Sequence, residues 1–277
     1  MAQIINTNVS SLNAQRNLNA TQSVLAQSIQ RLSTGLRVNS AKDDAAGLAI
    51  AERLNSQVRG MNVAIRNTND GISLAQTAEG ALGKVGEMAQ RMRELAVQAA
   101  NVTNNQSDRD SLNSEFGQLA AEITRTLNAT TFNGSQILSA GAGTLTFQIG
   151  AGTSAGVDTL DVTSTNMASA AAVTTVTGSN ITSAANASTA MTNLDSLINE
   201  VNTQRATWGA VQNRFDAVIA NLQVSVENQA ASRSRIMDAD FAAETASLTR
   251  AQVLQQAGVA MLSQANSTPN SVLALLR

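Results

Sequence analysis

The chain has 277 residues and contains no cysteine, no histidine and no tyrosine. Without cysteine there are no disulfides and no thiol nucleophile, and without histidine there is no imidazole general base. Zinc centres built on thiolate or imidazole are excluded with them, and only carboxylate metal sites stay open. Aromatic side chains occupy 2% of positions, so the core must be made mainly from Ala, Leu, Val and Ile. The single proline is Pro269, and helices elsewhere can run without interruption. Charge is nearly balanced at −2, which leaves no basic footprint for nucleic acid or an anionic membrane. No apolar run is long enough to predict a transmembrane helix. The opening MAQIINTNVSSLNAQRNL lacks a basic segment followed by an apolar one, so no secretory signal peptide is expected.

What is present is helical spacing. From about residue 6 to residue 36, Leu18, Leu25 and Leu32 recur every seventh residue, with Ile29 and Leu36 one turn after a leucine. This is a coiled-coil-like seam on a polar helix. STGLRVNSAKDD is rich in turn formers and reads as a connector, with Asp43 or Asp44 as the cap of the next helix. That helix is predicted over 45–100, with Leu54, Val58, Met61, Ile65, Thr68, Ile72 and Ala75 in alternating steps of four and three. The stripe resumes at Leu82, Val85, Met88, Met92, Leu95 and Ala99. Such a helix is on the order of 80 Å long, which predicts a rod-like molecule. NVTNNQSD is a polar turn, and Ser107 or Asp108 is expected to cap a third helix reaching about Leu127, with Leu112, Phe116, Leu119 and Ile123 along one face.

The composition then changes. TTFNGSQIL holds an Asn-Gly turn signal. TLTFQIG alternates at Leu145, Phe147 and Ile149, and VDTLDV at Leu160 and Val162, so 144–163 reads as a β-hairpin around a Gly-rich loop. Residues 164–189 are almost all Ala, Ser, Thr, Asn, Val and Gly, and read as an exposed, weakly specified excursion. A fourth helix over 190–231 carries the cleanest seam: Leu194, Leu197, Val201, Gln204, Trp208, Val211, Phe215, Val218 and Leu222. It is expected to pack on the 45–100 helix. SRSRIMDADF reads as a second connector, and a last helix over 240–277 puts Leu254, Gly258, Met261 and Ala265 on one stripe, where Gly and Ala would let a partner helix approach closely. The plan is nearly mirrored, with a helix and connector at each end around a helical bundle. Both terminal helices carry seams that need partners, because thin helices are stable mainly through packing.

Chemistry-bearing groups are few. Asp43 with Asp44, and Asp238 with Asp240, read as connector and capping residues. Gly141-Ala142-Gly143 and Gly150-Ala151-Gly152 lack the lysine of a phosphate loop and flank the hairpin. Asn-x-Ser/Thr triplets follow from the composition. The expectation is therefore a protein that is not an enzyme and has no cofactor.

The two ends carry a specific likeness. RLSTGLRVNSAKDDAAGLAIAERL, NDGISLAQTAEGAL and QRMRELAVQAAN resemble the amino-terminal signature of bacterial flagellins. WGAVQNRF, ASRSRIMDADFAAE, RAQVLQQAGVAMLSQAN and VLALLR resemble the carboxy-terminal one. The likeness covers about 1–138 and 190–277.

The resemblance implies a mainly α fold: an elongated antiparallel bundle of long helices with a small β-hairpin and paired terminal helices. It implies an inner-tube segment of 1–36 with 240–277, connectors at 37–44 and 232–239, an outer-tube bundle of 45–163 with 190–231, and a variable surface at 164–189. The implied function is a structural subunit of the helical filament of the bacterial flagellum, secreted without a cleaved signal. The alternative is the related hook–filament junction subunit. Implied partners are other copies of the chain, an export chaperone, cap and junction proteins, and host flagellin receptors. Leu18, Leu25, Ile29, Leu32, Leu254, Met261, Val272, Leu273, Leu275 and Leu276 are expected to pack the inner tube. The bundle core is expected to draw on Leu54, Val58, Met61, Ile65, Leu194, Leu197, Val201, Trp208, Phe215, Val218 and Leu222. By the same resemblance, Arg91, Leu95 and Glu115 would meet a toll-like receptor, and Val272, Leu273, Leu275, Leu276 and Arg277 a cytosolic sensor of the NAIP family.

Overall fold

A computed structural model describes residues 7–273, with side chains over 7–268. The chain is mainly helical, in the order α1 (Val9–Thr34), α2 (Ala45–Ala100), α3 (Gln106–Ala129), β1 (Thr131–Phe132), β2 (Ser135–Gln136), β3 (Thr144–Gln148), β4 (Thr159–Thr163), α4 (Ala171–Thr177), α5 (Ala184–Met237) and α6 (Phe241–Leu273). It divides into a central unit, Gln57–Glu227, and a terminal unit made of the chain up to Ser56 and from Asn228 onward.

The central unit is built on α2 and α5, which run antiparallel. A side chain at Gly71 would meet Phe215, one at Gly86 would meet Val201, and Arg93 pairs with Asp195. As the α2 number rises, the α5 number falls. Leu82, Val85, Met92 and Leu95 of α2 are buried with Leu194, Leu197, Val201, Trp208 and Phe215 of α5 and with Phe116, Ile123 and Leu127 of α3. Of the other expected core positions, Met61 is buried, while Leu54, Val58, Ile65, Val218 and Leu222 are half-buried. Alanines such as Ala75, Ala78, Ala89 and Ala96 fill the space between these larger side chains, and Phe116, Trp208 and Phe215 are the aromatics buried in this core. Phe147 meets Phe215 edge to face at 5.2 Å, which seats the hairpin on the bundle. Gly71 makes room for this: a Cβ there would lie 2.7 Å from Phe215 Cζ and 3.3 Å from Phe147 Cδ1.

β3 and β4 pair antiparallel in the register Leu145↔Val162 and Phe147↔Leu160, so one face turns to the core. Their connecting loop is organised by Asp158, whose carboxylate accepts from the backbone N–H groups of Gly152 and Ser154. The β1–β2 turn is formed by Asn133 (φ 48°) and Gly134 (φ 81°), the left-handed pair that a two-residue hairpin requires.

Three expectations need correction. The fourth helix is longer than 190–231, because α5 begins at Ala184 and continues through SRSRIM to Met237. Nothing in those residues breaks a helix, and the connector shrinks to the few residues before α6. The cap of α3 is Asn105, with Asp108 returning a bond to the Asn105 N–H in a capping box. Finally, 164–189 is not a loose excursion. Met167, Val173, Val176, Ile181 and Ala187 are buried in the central core. Asn113 of α3 accepts from Ile181 N–H at 2.9 Å, and Gln106 donates to the Thr182 carbonyl. Small apolar residues suffice because α3 already supplies the surface and the hydrogen-bond partners.

In the terminal unit the two connectors close on each other. Leu36 bridges Asp238, Arg37 N–H donates to the Met237 carbonyl at 2.6 Å, and Ala239 N–H to the Gly35 carbonyl at 2.9 Å. The Arg37 guanidinium donates twice to the Ile236 carbonyl, placing a cation on the C-terminal end of α5, where the helix dipole favours it. Val38, Ala51 and Met237 form a small core beneath. Asp44 caps α2 by accepting from Gly47 N–H at 2.7 Å. Asp43 instead accepts from Asn39 N–H, from Ser40 N–H and hydroxyl, and from the Gln27 amide of α1. The Ser40 hydroxyl and the backbone donors hold its carboxyl below the usual value.

Candidate interaction surface on the terminal helices

α1 and α6 lie antiparallel and very close. Asn8 caps α1, accepting from Ser11 N–H, and its amide donates to the Ala265 carbonyl at 2.7 Å. The Ser11 hydroxyl donates to Asn266 Oδ1 at 2.7 Å, and at the other end Arg31 stands 3.7 Å from Glu244. Asp240 caps α6 through the N–H groups of Ala242 and Ala243.

The seam between the two helices is made of small residues. Among the described side chains of the two helices, the buried ones are Ser11 and Ser28 on α1 and Ala251 on α6. Opposite Leu18 stands Gly258, where an added Cβ would lie 3.3 Å from Leu18 Cδ1. Small side chains bring two helix axes together but leave little space between them for large ones. Leu18, Leu25 and Leu32 are therefore only half-buried.

A second set of large apolar side chains sits outside that seam. Val9, Leu12, Val24 and Ile29 of α1 are exposed, as are Val253, Leu254, Val259 and Met261 of α6, with Met261 at 64% and Leu254 at 52%. Leu254 and Met261 form one wall of a groove whose other wall is Ala14, Leu18 and Thr21 of α1. The groove continues past Leu254 to Val24 and Ala251, and Arg250 is the single charged residue along it. Fully burying one such Val, Leu, Ile or Met gains about 1.5–3 kcal/mol. A row of them left in water is a surface with something to gain from a partner.

The expected α6 stripe is accordingly split. Gly258 and Ala265 are half-buried, whereas Leu254 and Met261 stand exposed. Ile29, expected on the α1 seam, is 52% exposed. These three side chains do not hold α1 to α6. Val9, Leu12, Val24, Val253 and Val259 lie on neither of the predicted stripes. Their only signal is that they are apolar residues off the seam of an otherwise polar helix. Side chains at 272 and 273, and residues 275–277, lie outside the described part of the chain.

A second surface lies on the central unit. Arg91 of α2 bridges to Glu94 at 2.9 Å and across to Glu115 of α3 at 3.0 Å, all three exposed. The two carboxylates, Glu94 first, hold the guanidinium above its ordinary value. Leu95, expected beside them as a contact residue, is 1% exposed. It belongs to the α2 stripe that packs the core and offers nothing to the surface. Beside this patch, Arg93 donates to Asp195 of α5 at 2.6 Å. Among the described residues no cluster of carboxylates has the makings of a metal site, and no helix is long and apolar enough to cross a membrane.

Comparison with known proteins accounts for both ends. The bacterial flagellin N-terminal helical region matches residues 5–142, and the bacterial flagellin C-terminal helical region matches residues 191–276. A flagellin of Halalkalibacterium halodurans is 44% identical, with 99% of this chain and 100% of that protein aligned. The crystal structure of Bacillus cereus flagellin superposes with a TM-score of 0.50 at 37% identity, covering 57% of this chain and 88% of that one. A Vibrio parahaemolyticus chain assigned to the flagellar hook-associated proteins gives a TM-score of 0.58 over 71% of this chain and 100% of its own, but at 14% identity it shares the fold alone. The paired terminal helices, the long central bundle and the matched sequence at both ends place the chain in the bacterial flagellin family.

Proposed function

We infer that this flagellin enters the flagellar filament by burying the α1–α6 groove against other copies of itself. The observation that carries this reading is the mismatch within the terminal pair. Its seam is sealed by Ser, Ala and Gly, while Leu254, Met261, Ile29 and Val24 are left exposed beside it. A contact between different patches of successive copies does not close on itself and propagates as an open helix. In this reading the terminal unit forms the inner tube of the filament and the central unit its outer tube. Leu18, Leu25 and Leu32 hold the pair together, and Ile29, Leu254 and Met261 face neighbouring copies. Val272, Leu273, Leu275 and Leu276 are expected to be buried among neighbouring copies as well. The filament lies outside the cell, and an export chaperone, cap and junction proteins handle the subunit on its way. No catalytic step is involved.

Seeded elongation followed by sedimentation tests this. Leu254→Asp places a charge in the groove and should abolish elongation while leaving helix content and the unfolding of the central unit unchanged. Elongation at the wild-type rate would overturn the reading.

The exposed Arg91–Glu115 pair favours a second role for the central unit as a host receptor ligand, with Leu95 acting only from beneath. Arg91→Ala and Glu115→Ala monomers should signal less through the toll-like receptor, and wild-type potency would count against it. Recognition of Val272, Leu273, Leu275, Leu276 and Arg277 by a NAIP-family sensor is tested by deleting Ser271–Arg277. The truncated chain should lose that signal and also polymerise poorly.

A further inference from the structure

We propose that Met261 is a methionine-oxidation site that controls assembly: its sulfoxide form would block the α1–α6 groove and its reduction would restore it. The proposal rests on the groove being the surface that copies bury. Among the described methionines, Met61, Met92, Met167 and Met237 are buried at 6%, 0%, 0% and 5% exposure, and Met88 and Met191 are half-buried. Met261 alone stands at 64%. It is also the one that lines the groove, on the wall shared with Leu254 and Ala257, facing Ala14 and Leu18. Among the described methionines, the thioether most open to an oxidant is thus the one placed where an apolar contact must form.

The chemistry is balanced by a peroxide. The thioether sulfur attacks one peroxide oxygen, the O–O bond breaks, an S–O bond forms, and the second oxygen leaves as water after protonation. Sulfur loses two electrons and the peroxide gains them. The product turns a flexible apolar side chain into a polar, chiral one, and it can be reversed by methionine sulfoxide reductases. The polar side chains of the groove, Ser10, Asn13, Asn17 and Thr21, stand on α1, across from Met261. The groove residues beside it, Leu254, Ala257 and Gly258, are apolar, and their backbone N–H groups lie within the hydrogen-bonded helix α6. Burying a polar oxygen in a contact built for an apolar side chain should raise the critical concentration for elongation about tenfold. A copy already in the filament would have the sulfur covered, so the site acts on subunits before they are incorporated.

The experiment uses the full chain. Purified monomer is treated with hydrogen peroxide, Met261 oxidation is followed by peptide mass spectrometry, and elongation is measured on untreated seeds. Met261 should oxidise before the four buried methionines, and elongation should fall with it. Methionine sulfoxide reductase should restore elongation, and M261L, which keeps the volume but cannot oxidise, should elongate equally before and after peroxide. Full elongation by subunits oxidised at Met261, or equal loss in M261L, would overturn the proposal. Preformed filaments separate it from the reading beneath it. Oxidation of Met261 in filaments at the monomer's rate would overturn the groove reading, whereas protection in filaments with no effect on monomer elongation would overturn only the control by oxidation.

Discussion

α1 and α5 both carry apolar residues in steps of three and four, yet they use them in opposite ways. In the central unit, Leu194, Leu197, Val201, Trp208 and Phe215 of α5 are sunk among α2, α3 and the hairpin. In the terminal unit, the residues sunk between α1 and α6 are Ser11, Ser28 and Ala251, and large side chains such as Ile29 and Met261 stay in water. The first arrangement is complete within one copy. A helix pair sealed by small residues gains little from its own seam, so most of its apolar surface is left for another molecule. Two helices with similar spacing therefore differ because one has partners on several sides within the chain and the other has a single close partner.

Substitutions in the two units should separate these regimes. The largest effect is expected from Phe215→Ala, which removes a ring packed against Phe147 and over Gly71. It should cost the central unit about 3–5 kcal/mol, read as a lower urea midpoint from the fluorescence of Trp208, the only tryptophan. Gly258→Leu comes next. It forces bulk toward Leu18 and should loosen the α1–α6 pair by about 1–3 kcal/mol, even after the roughly 1 kcal/mol that replacing a mid-helix glycine returns. Hydrogen exchange should quicken in α1 and α6 and stay unchanged in α2 and α5. A change confined to the central unit would break the comparison.

Arg93→Ala removes the exposed bridge to Asp195 and should cost under about 1 kcal/mol, less at high salt. Ile29→Ser should shift the stability of the monomer by no more than about 0.5 kcal/mol, because that side chain packs on nothing decisive within one copy. A larger loss would show that α1 relies on its exposed face after all. The smallest effect is a pH dependence at Asp43. Its carboxyl is held below the unfolded value by Ser40, so its contribution to the connector is complete above the unfolded pKa and fades as the pH falls through the folded one. Exchange of the Asn39 and Ser40 amides should quicken in that acidic range, and Asp43→Asn should remove the dependence.

Much of the central unit could be read from residue spacing. The 45–100 helix, the alternating hairpin and the α5 seam each depend on a local period that a single element expresses by itself. The excursion at 164–189 could not be read in this way. Val173, Val176 and Ile181 are buried only because α3 lies over them and Asn113 satisfies the Ile181 N–H. Leu95 shows the same limit from the other side: a residue on the helical stripe cannot also serve the surface beside Arg91. At the terminal pair the seam was visible as a set of apolar and small positions, but its inner and outer members were not distinguished. Gly258 and Leu254 are one turn apart on the same face, and how far α1 covers each depends on how closely the two axes approach there.

By itself the sequence determined the helical class, the absence of thiol and imidazole chemistry, and a family likeness at both ends. These follow from composition and from periods that act over a few turns. The tertiary structure alone decided which apolar residues are used up within one copy and which remain for others. That choice depends on how near a second helix can come, and a small residue on one strand of the seam matters only when it meets its opposite number, as Gly258 meets Leu18.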